Sequence, residues 1–157
     1  MSDDVDAVTT AVLTASRVLV GVAARSLAAV EDSVTLPQFR LMVVLAGREP
    51  LTQTAIAEQL AVNPSTAMRM LDRLAAAGII TRGVNPAVRR EHLVRLTEAG
   101  RQVVDDVTAR RRAEIAGIVG RMPPARRAGL VAALRAFTAA GHEPDAPATD
   151  LARLGWP

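Results

Sequence analysis

Residues 51–100 decide the fold, and they read LTQTAIAEQLAVNPSTAMRMLDRLAAAGIITRGVNPAVRREHLVRLTEAG. Thr52 is a candidate N-cap for a first short helix. Asn63 is a second N-cap candidate, and Pro64 follows it at the first helical position, where a missing N–H does no harm. Gly78 can take the left-handed conformation that ends this second helix. The pattern therefore predicts two short helices joined by a tight turn.

Two strand signals follow the second helix. Residues 79–82 and 91–96 have the composition of short strands, and residues 83–90 between them hold the Gly, Asn and Pro of a loop. Thr97 and Glu98 then begin another helix. Helix, turn, helix, hairpin and helix in this order predict a winged helix-turn-helix, in which the hairpin is the wing.

Long helices flank this region on both sides. Residues 3–30 keep helical spacing and are apolar on more than one side, so we expect them to contact both their own domain and a second copy of the chain. A buried helix follows Pro37. Beyond the wing, one helix extends to Pro123 and a last helix covers about residues 125–140.

Composition limits both the fold and the function. Half of the 157 residues are apolar, mostly Ala, Leu and Val, and three are aromatic, which predicts a mainly α fold. No apolar run approaches the roughly 20 residues of a membrane span, so we expect a soluble, cytoplasmic protein with no membrane partner. The chain has no cysteine, and His92 and His142 are far apart in sequence, so we expect no metal site and no cofactor. No nucleophile stands beside a base in a catalytic pattern, so we expect no enzyme activity.

The net charge of +3 is unevenly distributed. Residues 1–62 carry four arginines against seven acidic residues, whereas residues 63–101 carry seven arginines against three acidic residues. A local basic surface is typical of a protein that binds a polyanion. Arg110, Arg111 and Arg112 form a separate triplet, for which an exposed helix face or interhelical salt bridges are a better explanation than a contact with DNA.

The helix over residues 63–78 has two distinct faces at about 100° per residue. One face is small and apolar, and we expect it to pack on the preceding helix: Ala67, Leu71, Leu74, Ala75 and Gly78. The other is suited to reading base edges in a major groove: Thr66, Arg69, Met70 and Arg73. Two alternatives remain open, namely that Met70 belongs to the core and that the two arginines are solvated or pair with Asp72.

The predicted wing is more basic than a simple connection requires. Arg89 and Arg90 lie at the base of its loop, and Arg82 and Arg95 lie on the flanking strands. Arginine suits both phosphates and the negative potential of a minor groove. The alternative is a solvated charge run, which the concentration of arginine disfavours.

These residues resemble the MarR family (multiple antibiotic resistance regulators) of bacterial transcription factors. The resemblance rests on the segment LTQTAIAEQLAVNPSTAMRMLDRLAAAGIITR, the basic wing ending RREHLVRLTEAG and the long terminal helices, and it covers nearly the whole chain. It implies a homodimer that binds a pseudo-palindromic operator in double-stranded DNA, usually as a repressor released by a small aromatic or anionic ligand. By position, the recognition helix is matched by Pro64, Ser65, Thr66, Arg69 and Arg73, and the wing by Arg89 and Arg90.

The resemblance also implies an organisation for the chain. We expect a single domain over residues 1–157, with dimerisation helices at 1–34 and 98–141 and a winged helix-turn-helix at 35–97. An irregular tail at 142–157 follows, in which Leu151, Leu154 and Trp156 are candidates for docking on a neighbouring surface. A ligand site is expected where the first two helices meet the helix after the wing, with Arg17, Arg25, Phe39, Arg40 and Met42 as its candidate residues.

Val88 departs from the pattern of the family, because many members have an aspartate immediately before the wing arginines. Either the wing is less ordered without DNA, or Glu91 takes over the pairing with an arginine. The alternative function is a winged-helix module that binds protein or ligand and has weak, non-specific affinity for DNA.

Overall fold

The computed structural model describes residues 2–30 and 34–141, and the predicted mainly α fold is confirmed there. In chain order the elements of the described residues are α1 (Ser2–Ala28), α2 (Leu36–Arg48), β1 (Leu51–Thr52), α3 (Gln53–Gln59), α4 (Pro64–Ala76), β2 (Ile80–Val84), β3 (His92–Leu96), α5 (Glu98–Gly120) and α6 (Pro124–Ala140). The tail predicted at 142–157 lies outside the described residues.

Capping chemistry sets the start of α3, α4 and α5. In each case a side-chain oxygen accepts a hydrogen bond from a backbone N–H: Thr52 Oγ1 from Ala55 at 3.2 Å, Asn63 Oδ1 from Thr66 at 2.8 Å and Thr97 Oγ1 from Gly100 at 3.0 Å. Pro64 is the first residue of α4, and Gly78 has a φ of 71° beyond the end of that helix. The predicted helix starts are confirmed, so local chemistry fixes the frame of the helix-turn-helix.

The three strands form an antiparallel sheet in the order β1-β3-β2. In the predicted hairpin, Ile80 lies opposite Leu96 and Val84 lies opposite His92. β2 extends two residues further than predicted, which shortens the loop to residues 85–91. β1 is an addition to the predicted elements, and it pairs with the other edge of β3.

The hydrophobic core lies where α2, α3, α4 and α5 meet the sheet. Its largest fully buried side chains are Val34, Leu41, Met42, Leu45, Ile56, Leu71, Leu74, Val94 and Val104. α4 directs Ala67, Leu71 and Leu74 into this core, as predicted. The prediction is wrong for Ala75 and Gly78, which are exposed. Ala75 lies at the edge of the buried arc, and Gly78 follows the end of the helix.

α5 begins against the turn that joins α4 to β2. A Cβ atom at Gly100 would overlap the carbonyl oxygen of Ile79 and would lie 3.1 Å from Leu96 Cδ2, so the close approach requires glycine. Further along α5, Arg110 and Arg112 are exposed, as expected, but Arg111 is 6% exposed, so of the two explanations given for the triplet the exposed face does not hold for Arg111. Burial of Arg111 lowers the pKa of its guanidinium.

α1 and α6 leave most of their apolar surface uncovered. α1 packs on α5 through its C-terminal part, where Val22 and Leu27 are buried, while Val5 nearer its start is 63% exposed. α6 buries none of its residues, and Leu134 and Phe137 are 52% and 54% exposed. Two long helices therefore present apolar faces that the described residues leave exposed.

The segment Asp3–Ala28 of α1 is long and apolar enough to cross a membrane, by length and composition alone. This finding corrects the expectation that no apolar run of the chain reaches that length. Length and composition do not distinguish a membrane span from a helix that packs on another protein. Arg25 of this segment bonds to Glu114 of α5, with Nε 2.8 Å from Oε1, which ties this end of α1 to the helical domain.

Candidate nucleic-acid interface

We call α4 the recognition helix. Its N-terminus is exposed, and hydrogen bonds to Asn63 hold it in place. Asn63 Oδ1 accepts hydrogen bonds from the backbone N–H of Thr66 and from Ser65 Oγ, both at 2.8 Å. Pro64 fills the first helical position and is exposed. A polar, exposed helix N-terminus of this kind presents the positive end of a helix dipole to solvent, where a phosphate could bind.

The predicted reading face of the recognition helix divides into two parts. Arg69 and Arg73 are exposed, and Arg69 Nη2 lies 3.5 Å from Thr66 Oγ1. Met70 is half-buried and packs against the hydrophobic core, which supports the alternative that it is a core residue. Of the predicted reading face, Arg69 and Arg73 are therefore exposed and Thr66 is half-buried, and the exposed side of the helix also carries Met68 and Asp72.

The wing, which comprises β2, the loop 85–91 and β3, is braced by its own hydrogen bonds. Asn85 N–H donates to the Glu91 carbonyl at 2.8 Å, Asn85 Nδ2 donates to Glu91 Oε2 at 3.1 Å, and the Ala87 amide donates to Asn85 Oδ1 at 3.0 Å. Glu91 thus bonds to an asparagine, and none of the ion pairs among the described residues includes it, so the alternative in which it pairs with a wing arginine is wrong. An Asn–Glu contact braces the loop in this chain, and Val88 at the tip is 46% exposed.

Arg89 and Arg90 lie on this braced loop with exposed side chains. Among the residues that the structure describes, neither they nor Arg73 form an ion pair, and Arg69 contacts only a hydroxyl group. The guanidinium groups on the recognition helix and on the loop are thus available to phosphates or base edges.

Arg82 differs from these four arginines because it forms an ion pair within the chain. Its Nη2 donates to Asp72 Oδ1 of the recognition helix at 2.8 Å. Arg95, the other predicted strand arginine, pairs in register with Thr81, whereas Arg82 pairs with Val94. Since neighbouring positions alternate between the faces of a sheet, Arg95 lies on the face away from the recognition helix.

The five ligand-site candidates have different surroundings. Phe39 and Met42 are buried in the hydrophobic core at 3% and 0% exposure. Arg25 bonds to Glu114, whereas Arg17 and Arg40 are exposed. The structure therefore brings the two apolar candidates into one cluster and leaves two of the cations in solvent.

Sequence reasoning missed Glu49, which joins three elements. Its Oε2 accepts from the Leu96 amide of β3 at 2.7 Å, and its Oε1 accepts from Arg101 Nη1 of α5 at 2.7 Å. No local pattern identifies such a residue, because its partners follow it by 47 and 52 positions in the sequence.

The chain is similar in sequence and in structure to known proteins. Residues 34–92 match the sequence profile described as the MarR family. The chain is 52% identical to Rv1404 from Mycobacterium tuberculosis, whose crystal structure superposes with a TM-score of 0.82; the match covers 91% of this chain and 97% of that chain. No curated protein matches the chain.

Two more distant structures share the fold. A MarR family protein from Bacillus stearothermophilus is 18% identical, with a TM-score of 0.80 and coverage of 90% of this chain and 97% of that chain. A mutant of MepR from S. aureus, solved bound to an oligodeoxyribonucleotide, is 20% identical, with a TM-score of 0.66 and coverage of 85% and 97%.

Proposed function

Because the chain belongs to the MarR family of transcription regulators, we propose that it is a sequence-specific DNA-binding repressor that acts as a homodimer and is released by a small ligand. One observation carries the proposal: four exposed arginines, none of them in an ion pair within the described residues, are divided between the recognition helix and the wing. They are Arg69 and Arg73 on the helix, and Arg89 and Arg90 on the loop.

The two pairs of arginines have different roles in this proposal. The recognition helix enters the major groove, where Arg69 or Arg73 can donate two hydrogen bonds to guanine O6 and N7. The wing lies along the backbone or the adjacent minor groove, where Arg89 and Arg90 contact phosphates. Base contacts then set sequence preference, and phosphate contacts set affinity for any duplex.

The uncovered faces of α1 and α6 support a homodimer. Two copies joined through these faces would place their recognition helices in successive major grooves, about 34 Å apart on one side of the duplex. Each copy would then read one half of a pseudo-palindromic operator.

Salt dependence tests the DNA-binding role. Affinity for a duplex from upstream of the protein's own gene should fall by orders of magnitude between about 50 and 200 mM salt, because each neutralised phosphate releases counterions. Arg69→Ala or Arg73→Ala should reduce the preference for that duplex over a scrambled one, whereas Arg90→Ala should weaken both and reduce the salt slope by about one.

Arg135→Ala provides the matched control for these variants. It removes the same charge from an exposed position of α6, away from the recognition helix and the wing, and should leave both affinities unchanged. A flat salt response of the wild-type protein, or equal affinity for the two duplexes, would contradict the DNA-binding role and favour a module that binds protein or ligand.

The release step extends the proposal to a small aromatic acid held near α2. The exposed Arg40 on this helix offers a cation for the carboxylate of such a ligand, whereas Phe39 before it is buried in the core. Benzoate serves as a simple probe: it should raise the unfolding temperature and weaken operator binding, and Arg40→Gln should reduce both effects. Unchanged binding and unfolding at millimolar benzoate would exclude this class of ligand.

A further inference from the structure

Asp72 and Arg82 form an ion pair that joins the recognition helix to the wing. The two side chains are 57% and 28% exposed, and the contact measures 2.8 Å. Between the two residues the chain leaves α4, turns at Gly78 and enters β2. The ion pair therefore joins residues ten positions apart in sequence, one on each of the two elements proposed to contact DNA.

The other side of this junction is held by the start of α5. Thr97 Oγ1 donates to the Gly78 carbonyl at 2.7 Å, and the Thr97 amide donates to the Ile79 carbonyl at 2.9 Å. These bonds fix the turn itself, but they end three residues before Arg82. Further along, β2 pairs with β3 as far as Val84, and the Arg82 guanidinium in this part of the strand reaches Asp72 of α4.

Asp72 places a carboxylate on a helix that is proposed to approach DNA, which is itself negatively charged. Asp72 lies one turn from Arg69 and next to Arg73 in sequence, on the exposed side of the recognition helix. An unpaired carboxylate there would repel DNA phosphates and lower affinity. Pairing with Arg82 neutralises the charge of Asp72 locally. Asp72 can therefore hold Arg82 in place with little repulsion of the DNA phosphates.

We propose that Asp72 and Arg82 are positioning residues, which hold the recognition helix and the wing at the spacing at which both reach the same operator half-site. Arg82 thus acts through the recognition helix and not through a DNA contact of its own. The inference rests on the proposed DNA-binding function and assigns the internal geometry of that site.

Asp72→Asn distinguishes positioning from simple electrostatics by the sign of its effect. If the carboxylate acted only through its charge, its removal would strengthen DNA binding, because one repulsion would be lost. If it positions Arg82, its removal weakens binding although the protein becomes more positive. We expect operator affinity to fall about tenfold, a size typical of coupling between residues in contact.

Arg82→Gln distinguishes positioning from a phosphate contact by its effect on the salt slope. A phosphate contact would lose affinity for all duplexes together with about one unit of salt slope. A positioning residue loses affinity for the operator while the salt slope stays at the wild-type value, because no phosphate contact has been removed. The swapped double variant, Asp72→Arg with Arg82→Asp, restores the pair and should bind within about threefold of wild type.

The experiment measures operator and scrambled-duplex affinity over a salt series for the wild type, the two single variants and the swap. Asp105→Asn, the same change at an exposed position of α5, is the matched control and should bind like wild type. Thermal unfolding of each variant should stay within about 2 °C of wild type, because an exposed ion pair adds little stability.

The outcomes separate this inference from the proposed function. Tighter binding by Asp72→Asn, a lower salt slope for Arg82→Gln, or a swap as weak as Arg82→Gln would each overturn the positioning role while leaving the DNA-binding function in place. A wild-type protein without salt-dependent preference for its operator would instead overturn the function.

Discussion

Gly100 shows how one residue determines the seating of α5. We predict that Gly100→Ala destabilises the protein by about 1–3 kcal/mol, because the new methyl group overlaps the Ile79 carbonyl and forces the backbone to move. Gly117→Ala is the control: it lies in the same helix, where a Cβ would have only Arg121 Nη1 nearby, at 3.8 Å. That variant should gain up to about 1 kcal/mol from helix propensity. Urea unfolding measures the change in unfolding free energy of both variants. A change of the same sign in the two variants would contradict the packing argument.

Asn63 separates the stability of the recognition helix from its binding of DNA. Asn63→Ala removes the cap and should cost about 1 kcal/mol in unfolding free energy. Asn63→Asp keeps a capping oxygen, so stability should stay near wild type, yet it places a negative charge at the end of the helix that faces phosphate. We therefore expect Asn63→Asp to bind the operator more weakly than Asn63→Ala. The reverse order of affinities would show that this helix end does not approach DNA.

The elements differ in how far the sequence could predict them. The starts of α3, α4 and α5 were predictable because each depends on a capping side chain and an amide three residues away. β1 was not, because two residues become a strand only through pairing with β3, more than 40 residues later. The contact between Asp72 and Arg82 was not predictable for the same reason, because it forms only once the helix and the strand have packed together.

Site residues followed the same rule. The exposed positions of Arg69 and Arg73 follow from helical periodicity, whereas the half-burial of Met70 depends on neighbouring elements that periodicity does not describe. The wing loop was predictable as a loop, but its bracing by Asn85 and Glu91 was not, because several pairings of its polar residues fit the sequence equally well.

Glu49 links the end of α2 to β3 of the wing and to α5, and we expect its removal to destabilise this junction. Glu49→Ala leaves the Leu96 amide without its acceptor and Arg101 without one of its two carboxylate partners, so we predict a loss of about 1–3 kcal/mol in unfolding free energy and faster hydrogen exchange at the Leu96 amide. Glu98→Ala removes the other acidic partner of Arg101, which is 90% exposed, and should leave that amide protected. Exchange followed by NMR distinguishes the two, and an unaltered Leu96 amide in Glu49→Ala would contradict this role.

At the scale of the whole molecule, the uncovered face of α6 should control assembly. Leu134→Asp places a charge on the apolar face and should convert the proposed homodimer to a monomer at micromolar concentration, because an unpaired carboxylate is costly to bury. Ala132→Asp lies about 160° around the same helix and should remain dimeric. Light scattering after size exclusion gives the mass directly. A wild-type monomer, or dimers of both variants, would contradict an α6 interface.

The braced wing has a practical consequence for protease digestion. Trypsin cleaves after arginine, but arginines within helices are protected by the hydrogen bonds of their backbone, whereas Arg89 and Arg90 lie side by side on an exposed loop. Among the described residues, the first tryptic cut should therefore fall in the wing. Bound duplex would shield this dibasic sequence, so the rate of that single cut would report occupancy of the DNA surface without any label on protein or DNA.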